Sequence, residues 1–172
     1  SAYNQSQTWS TYGSTSSTGT APEYYAAMFD GTAAAIGSNV VWTDGWRIGG
    51  SSTATGTSTV TGLNIPFTTS VKVRYVKAVY GGAHTSTQFK INNVSLLDSS
   101  ATDETYRELD VTSQITSPIT SWEISRTADN NNLLISEIIV DGKSLIEPGV
   151  IPPGSLNSSS YDQSQTWSNN IT

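Results

Sequence analysis

The amino-acid sequence predicts an all-β domain, a jelly-roll-type β-sandwich of about eight to ten short strands. Two observations lead to this fold class. Apolar residues alternate with polar ones at a period of two, and turn signals separate the runs roughly every 8–12 residues. The 172-residue chain also holds 27 Ser and 24 Thr but has 13% charged residues. Five Trp, eight Tyr and three Phe supply the apolar area for a core.

The first elements are predicted from local composition. Residues 1–20 are assigned to an N-terminal strand and a loop, because residues 11–20 consist of Ser, Thr, Gly and Tyr. Pro22 predicts the start of one short helix near residues 22–29, which Asp30-Gly31 ends. Asp44-Gly45 predicts a hairpin turn between strands at residues 40–42 and 46–48. Residues 50–57 read as another loop.

The later elements show clearer periodicity. Alternation is strongest in the segment that Gly81-Gly82 ends, and two further turns are expected at Asn92-Asn93 and Asp141-Gly142. One segment is apolar on both faces, at residues 133–140, so we expect it in the interior of a sheet. The predicted strands are residues 71–80, 89–91, 94–97, 109–111, 119–126, 133–140 and 143–146.

The two ends of the chain carry the same motif. Residues 3–10 read Tyr-Asn-Gln-Ser-Gln-Thr-Trp-Ser, and residues 161–168 match them at seven of eight positions. Either the parent is a tandem array, or the two copies pair as edge strands; a terminal copy could also add to a neighbouring molecule. The resulting domains are a sandwich at 21–147, a Pro/Gly/Ser linker at 148–160, and at 161–172 the start of a next repeat or a terminal pairing strand.

Several functional classes are excluded by composition. A net charge of −6 and a pI of about 4.5 argue against nucleic-acid binding. No apolar run approaches the length of a membrane span, so we expect no membrane insertion. The absence of Cys and the single His exclude thiol chemistry and multi-His metal sites. No catalytic motif is present, and the chain is predicted not to be an enzyme.

The order of motifs resembles a repeat in tail-fibre and virion-surface proteins of phages, notably those of marine and cyanobacterial hosts. The residues that carry this resemblance are the Ala-Met-Phe-Asp-Gly element at 27–31 and the Ile-Ile-Val-Asp-Gly-Lys-Ser-Leu hairpin at 138–145, with Phe-Lys-Ile-Asn-Asn at 89–93 between them. The resemblance implies a virion-surface or extracellular location. It also implies assembly with copies of itself or neighbouring repeats, and adhesion to a host-surface polysaccharide or other glycan.

The layout is also similar to discoidin-type carbohydrate-binding sandwiches, which share a short helix, an Asp-Gly turn and a following Trp. That similarity implies loops at one end of the sandwich that bind sugar. It also implies a calcium ion at the loop that Asp30 opens. The stretch at residues 32–37 departs from the discoidin pattern, which usually places a Thr a few residues after the Asp-Gly and before the Trp. An Asp that caps its own turn is the alternative for Asp30.

Exposed aromatic side chains are the candidate ligand-binding residues, because aromatic rings stack on the apolar faces of sugars. Core packing is the alternative for each of them, and it is the expectation for Trp122, which shares a strand face with Ile124. The candidates are Trp42, Trp46, Tyr24, Tyr25 and Tyr80.

Three functions follow as hypotheses. The first is a non-enzymatic virion-surface or fibre repeat domain that serves assembly and adhesion to glycans. The second is a carbohydrate-binding module of a secreted enzyme or a bacterial adhesin. The third is a self-polymerising structural subunit joined through its terminal strands.

Overall fold

The computed structural model describes residues 8–32, 34–80, 83–97, 103–128 and 131–147. It confirms the predicted all-β class: antiparallel strands dominate, with 3₁₀ helices at Tyr25–Phe29, His84–Ser86 and Thr112–Gln114. No helix in these ranges is long and apolar enough to cross a membrane. The strands are β1 Ser14–Gly19, β2 Pro22–Glu23, β3 Arg47–Ile48, β4 Gly56–Ile65, β5 Val71–Val79, β6 Thr87–Ile91, β7 Val94–Ser95, β8 Arg107–Asp110, β9 Ile119–Arg126, β10 Asn131–Val140 and β11 Lys143–Ser144.

Two antiparallel sheets form the sandwich. One has the strand order β1-β4-β9-β6-β7 and the other β11-β10-β5-β8, while β2 and β3 form a separate ribbon. Inward-facing residues of both sheets meet in one apolar cluster, in which Val73 and Ile138 belong to the second sheet and Phe89 and Trp122 to the first. Each fully buried side chain of this size contributes about 1.5–3 kcal/mol, so this shared core holds the sheets together.

Two predicted hairpins are confirmed with their turns. Asn92 and Asn93 have φ angles of 51° and 65°, and Asp141 and Gly142 have 50° and 78°. Both turns therefore need two central residues in the left-handed region, which Asn, Asp and Gly reach most readily. The predicted strand at 119–126 is β9, and the apolar segment at 133–140 lies within β10, between β11 and β5.

The helix predicted near residues 22–29 is shorter than expected. Pro22–Glu23 forms β2, which pairs with β3, and Tyr24 follows in the left-handed region with φ 56°. The 3₁₀ helix begins only at Tyr25. Backbone pairing with Arg47–Ile48 thus replaces the first turn, since ladder hydrogen bonds satisfy the backbone groups that a helix would otherwise use.

The hairpin predicted across Asp44-Gly45 is wrong. Trp46 forms a bridge with Ile135 of β10, and no strand occurs at residues 40–42. The reason lies in Gly45, where an added Cβ would lie 2.4 Å from the carbonyl oxygen of Ile135. This glycine permits close approach to a distant backbone and does not form the tight turn that the dipeptide predicted.

The segment predicted as a loop at 11–20 contains a strand, β1, whereas the loop predicted at 50–57 is free of strand up to Gly56, where β4 begins. β1 pairs with β4 along six residues, and β4 pairs with β9 on its other edge. Ser58 and Val60 of β4 face inward, and the register shifts between Thr61 and Ile65, around Gly62 with φ 76°. Thr is favoured in strands because it is β-branched, so a hydroxyl-rich sequence forms a ladder here without apolar alternation.

The predicted domain boundaries fall partly outside the described residues. The linker at 148–160 and the second motif copy at 161–168 both lie there. Of the first copy, residues 8–10 are described.

Candidate functional site

One end of the core is an aromatic cluster, defined here as Trp9, Tyr25, Phe29, Trp46 and Trp122. The Phe29 ring lies 6.2 Å from Trp9, 6.3 Å from Trp122 and 5.4 Å from Tyr25, measured between centroids. Tyr25 meets Trp46 edge-on at 5.0 Å. These spacings fall within the range where aromatic pairs attract beyond simple burial. The cluster is therefore a structural element of the core.

Two of the predicted ligand-binding residues lie in this cluster. Trp46 is 1% exposed, so its ring has no face to offer a sugar. Tyr25 is half-buried and its hydroxyl accepts a hydrogen bond from Trp122 Nε1 at 3.1 Å. Burial raises the pKa of Tyr25. The exposure on which the prediction for Trp46 depends is therefore corrected, because its bridge to β10 and ring packing bury it. Ligand contact stays a prediction for the half-buried Tyr25.

The other three aromatic candidates have different surroundings. Tyr24 is 44% exposed, and the Arg47 guanidinium lies 5.3 Å from its ring centroid. Tyr80 is 52% exposed. Trp42 is half-buried against a small apolar cluster that includes Tyr106. Because Tyr24 and Tyr80 are exposed, they stay predicted ligand contacts. Trp42 stays a prediction as well, and its neighbours Val41 and Thr43 line a polar pocket.

A surface pocket of about 450 Å³ lies between the loop after the first 3₁₀ helix and the residues before β3. Its walls combine carboxylates, an amide, hydroxyls and two aliphatic side chains. We call it the Asp pocket; the residues that line it are Asp30, Thr32, Ala34, Ser38, Asn39, Val41, Thr43, Asp44 and Tyr106.

Backbone hydrogen bonds hold one wall of the Asp pocket in place. Ser38 O accepts from Tyr106 N at 3.0 Å, and Gly37 N donates to Tyr106 O at 2.9 Å. Val40 N donates to Glu104 O at 2.7 Å. The segment before β3 is thus tied to the strand segment before β8, which fixes the pocket wall although it contains no regular element.

Asp30 enters the pocket from the turn after the 3₁₀ helix. Its Oδ1 accepts a hydrogen bond from Thr32 N at 2.7 Å, and Gly31 has φ 76°. This is the turn-capping role considered as an alternative for Asp30. The second carboxylate oxygen is not used by that bond, so Asp30 can cap its turn and accept from a ligand at once.

Asp44 and Tyr106 form the floor of the Asp pocket. The Tyr106 hydroxyl donates to Asp44 Oδ2 at 3.0 Å and accepts from Val41 N at 3.0 Å. Desolvation raises the pKa of Asp44, the bond from Tyr106 opposes that rise, and the negative charge of Asp30 adds to it. Burial likewise raises the pKa of Tyr106 to about 12. The raised pKa keeps the Tyr106 phenol neutral at neutral pH.

The calcium hypothesis at Asp30 remains a prediction. Calcium takes six to eight oxygen ligands, whereas Asp30 and Asp44 are the pocket's two carboxylates and each has one oxygen engaged within the protein. The described ranges contain no group of three or more His, Cys, Asp or Glu side chains placed to hold a metal. A cation here would need further oxygens besides the two carboxylates, from the Asn39 amide or other pocket oxygens, from a ligand or from water.

The pocket residues Asn39, Asp44 and Tyr106 were not predicted as functional. Asp44 was assigned to a hairpin turn, and Tyr106 is 62 positions away from it in sequence. The polar residues Thr32, Ser38 and Asn39, between the predicted helix and the strand predicted at 40–42, were the available signal. Comparisons with protein-family models, with curated proteins and with solved structures gave no match for this chain.

Proposed function

We propose that this chain is a non-enzymatic adhesion domain of a fibre or virion surface, and that it binds a host-surface glycan in the Asp pocket. The observation that carries the proposal is the pocket's chemistry. The pocket has a volume of about 450 Å³ and is lined by two carboxylates, an amide and several hydroxyl groups. This set of groups suits a ligand rich in hydroxyl groups, because a small number of polar groups in fixed positions can orient a ligand and make its binding specific.

The carboxylates would supply the strongest contacts. A hydroxyl that donates to an ionised carboxylate forms a shorter and stronger hydrogen bond than one between neutral groups. Asp30 and Asp44 each keep one oxygen outside the internal hydrogen bonds described above. Val41, which is 57% exposed on the pocket wall, offers an aliphatic surface to the C–H face of a sugar ring.

The setting on a fibre or virion surface has separate support. The motif that recurs at residues 3–10 and 161–168 fits an array of repeats, and the resemblance to phage appendage repeats fits an external location. The hydroxyl-rich, weakly charged composition agrees with a domain exposed to the medium.

The proposal is tested with a glycan array and the intact chain, carrying a fluorescent label, in calcium and again in chelator. We expect selective binding that Asp44→Asn and Asp30→Asn each reduce at least tenfold. The matched control is Asp110→Asn, which removes an equal charge from β8. Binding lost only in chelator would add a cation to the site.

Two outcomes would contradict the proposal. Folded chain that binds no glycan would leave assembly as the remaining role. Bound glycan that is cleaved, with new reducing ends that Asp44→Asn abolishes, would replace adhesion by hydrolysis, since a pair of carboxyl groups can serve as acid and base in glycoside hydrolysis.

A further inference from the structure

Strand β1 lies at one edge of the five-stranded sheet. Among the described residues, β4 is its one ladder partner, and all six residues of β1 are exposed. An edge strand carries a row of backbone N–H and C=O groups that its own sheet does not pair, and this row is a template for a further strand. β1 therefore offers an open edge to another chain.

One hydrogen bond shows which backbone groups of β1 face the open edge. Thr20 N donates to Thr55 O at 2.8 Å, and these two residues continue the register of the β1–β4 ladder. In an antiparallel ladder every second residue exchanges its backbone hydrogen bonds with the partner strand, and the residues between them point the other way. Residues 14, 16 and 18 therefore bond to β4. The backbone groups that face outward belong to Thr15, Ser17 and Gly19.

The other three edges of the two sandwich sheets are protected, as far as the described residues extend. β7 and β11 are two residues long, and β11 includes Lys143. β8 carries Arg107, Glu108 and Asp110. Short length and charge are two ways in which proteins prevent pairing at a sheet edge. β1 has six residues without a charge or a Pro, so it lacks both kinds of protection.

The ladder within the molecule shows which kind of strand fits β1. Thr18 lies opposite Thr57 of β4. Ser17 lies opposite Ser58, and their hydroxyl oxygens are 3.1 Å apart. Cross-strand pairs of Thr and Ser stabilise antiparallel ladders. A strand of Ser and Thr therefore suits β1, and β1 of a second copy is such a strand, with no charge to repel its counterpart.

We infer that β1 pairs with β1 of a second copy of this chain, antiparallel about a two-fold axis between the two Ser17 residues. This register uses every outward-facing group, because Ser17 lies opposite Ser17 and Thr15 opposite Gly19. The two five-stranded sheets then form one continuous sheet. A single strand pair is a small interface, so the dimer is weak. The inference does not depend on the Asp pocket.

The first test is sedimentation equilibrium of the full-length chain at concentrations up to about 1 mM, which is high enough to populate a weak dimer. We expect the mass of the unaltered chain to approach that of a dimer. Ser17→Lys places two positive charges opposite each other and should weaken association at least tenfold. The matched control is Ser14→Lys, which lies about 20 Å from its counterpart in this register and should associate like the unaltered chain. Circular dichroism checks that both variants are folded.

The second test is a cross-link, since the chain has no Cys of its own. In the proposed pair the two Ser17 Cα atoms are about 5.5 Å apart, which is within the range that a disulfide spans. Ser17→Cys should therefore oxidise to a covalent dimer. Ser14→Cys, equally exposed on the same strand, should cross-link at least tenfold more slowly.

Three results would each overturn the inference. The first is an unaltered chain that stays monomeric at about 1 mM. The second is equal association of Ser17→Lys and Ser14→Lys, which would place the contact elsewhere on the molecule. The third is equal cross-linking of the two Cys variants, which is the result expected of random collisions.

Discussion

Two neighbouring residues, Phe29 and Asp30, belong to two regions of opposite character, the aromatic cluster and the Asp pocket. Phe29 is fully buried and touches Trp9, Tyr25 and Trp122 in the aromatic cluster, whereas Asp30, the next residue, is exposed and lines the Asp pocket. The aromatic cluster buries large rings away from water, whereas the Asp pocket leaves two carboxylates accessible to water. The aromatic cluster therefore stabilises the fold, and the proposed function assigns glycan recognition to the polar loops of the Asp pocket.

The two regions should respond differently to mutation. A cavity in the aromatic cluster loses transfer free energy and packing together, so its main effect is on unfolding. A carboxylate in the pocket is partly solvated and contributes little to stability, so its main effect is on ligand binding.

Trp46→Ala tests whether the aromatic cluster is structural. We expect the free energy of unfolding to fall by about 3–5 kcal/mol, because the buried ring leaves a cavity against Tyr25 and β10. Urea unfolding followed by circular dichroism measures the loss. Trp42→Ala is the control, since Trp42 is only half-buried and should cost less. A loss of glycan binding in a Trp46→Ala protein of full stability would contradict the assignment.

Asp141→Asn tests a charged turn outside both regions. The Asp141 carboxylate accepts hydrogen bonds from the backbone N–H groups of Thr68, Thr69 and Ser70 at 2.7–3.0 Å. Partial burial raises its pKa, but these bonds outweigh that effect and lower the pKa to about 2. Since the carboxylate is partly exposed, we expect Asn to reduce stability by about 1–2 kcal/mol.

The same carboxylate gives a pH dependence. Its pKa is lower in the folded state than the ordinary value of 3.8, so its contribution is present above pH 3.8 and is lost as the pH falls toward 2. The unfolding free energy of the unaltered chain should fall over that interval more steeply than that of Asp141→Asn. Parallel pH profiles for the two proteins would contradict this account.

Glu147→Ala tests the hydrogen bond from Ser10 N that holds the chain beside the buried Trp9. Removal of the acceptor for Ser10 N should cost about 1 kcal/mol and increase amide hydrogen exchange at Ser10 and Tyr12. Glu147→Gln keeps an acceptor oxygen at the same position and should retain most of the protection. If both variants exchange like the unaltered chain, the hydrogen bond does not hold the segment.

Asp30→Asn should have the smallest effect on stability, within about 0.5 kcal/mol, because an Asn side chain can still accept the hydrogen bond from Thr32 N. Its effect on glycan affinity should be at least tenfold. Thermal unfolding and titration of one glycan with both proteins check the two statements. A large drop in melting temperature with unchanged affinity would reverse the roles assigned to the two regions.

Local signals in the sequence were sufficient for several elements. The hairpins at Asn92-Asn93 and Asp141-Gly142 were predictable, since short Asx and Gly pairs between apolar runs adopt left-handed turns. β9 was predictable from its alternation, in which Trp122 and Ile124 face the core. These features depend on residues close together in the chain.

Other features depend on distant partners and could not be read locally. β1 has six exposed Ser, Thr and Gly residues and becomes a strand only through its ladder with β4. The sequence predicts Gly45 in a tight turn, whereas its actual role is to let the backbone approach Ile135 of β10 closely. The Asp pocket needs Tyr106 beside Asp44, and tertiary pairing alone brings them together.

Glycan binding in the Asp pocket is tested directly by titration of the ¹⁵N-labelled chain with a glycan selected from the array. The chemical shifts of backbone amides and Trp indole groups report on both regions in one spectrum. We predict the largest changes at Thr32, Val41 and Asp44, with the indole signal of Trp46 unmoved. Large shifts of the Trp46 indole, with the pocket amides unmoved, would contradict the account and return recognition to the aromatic residues.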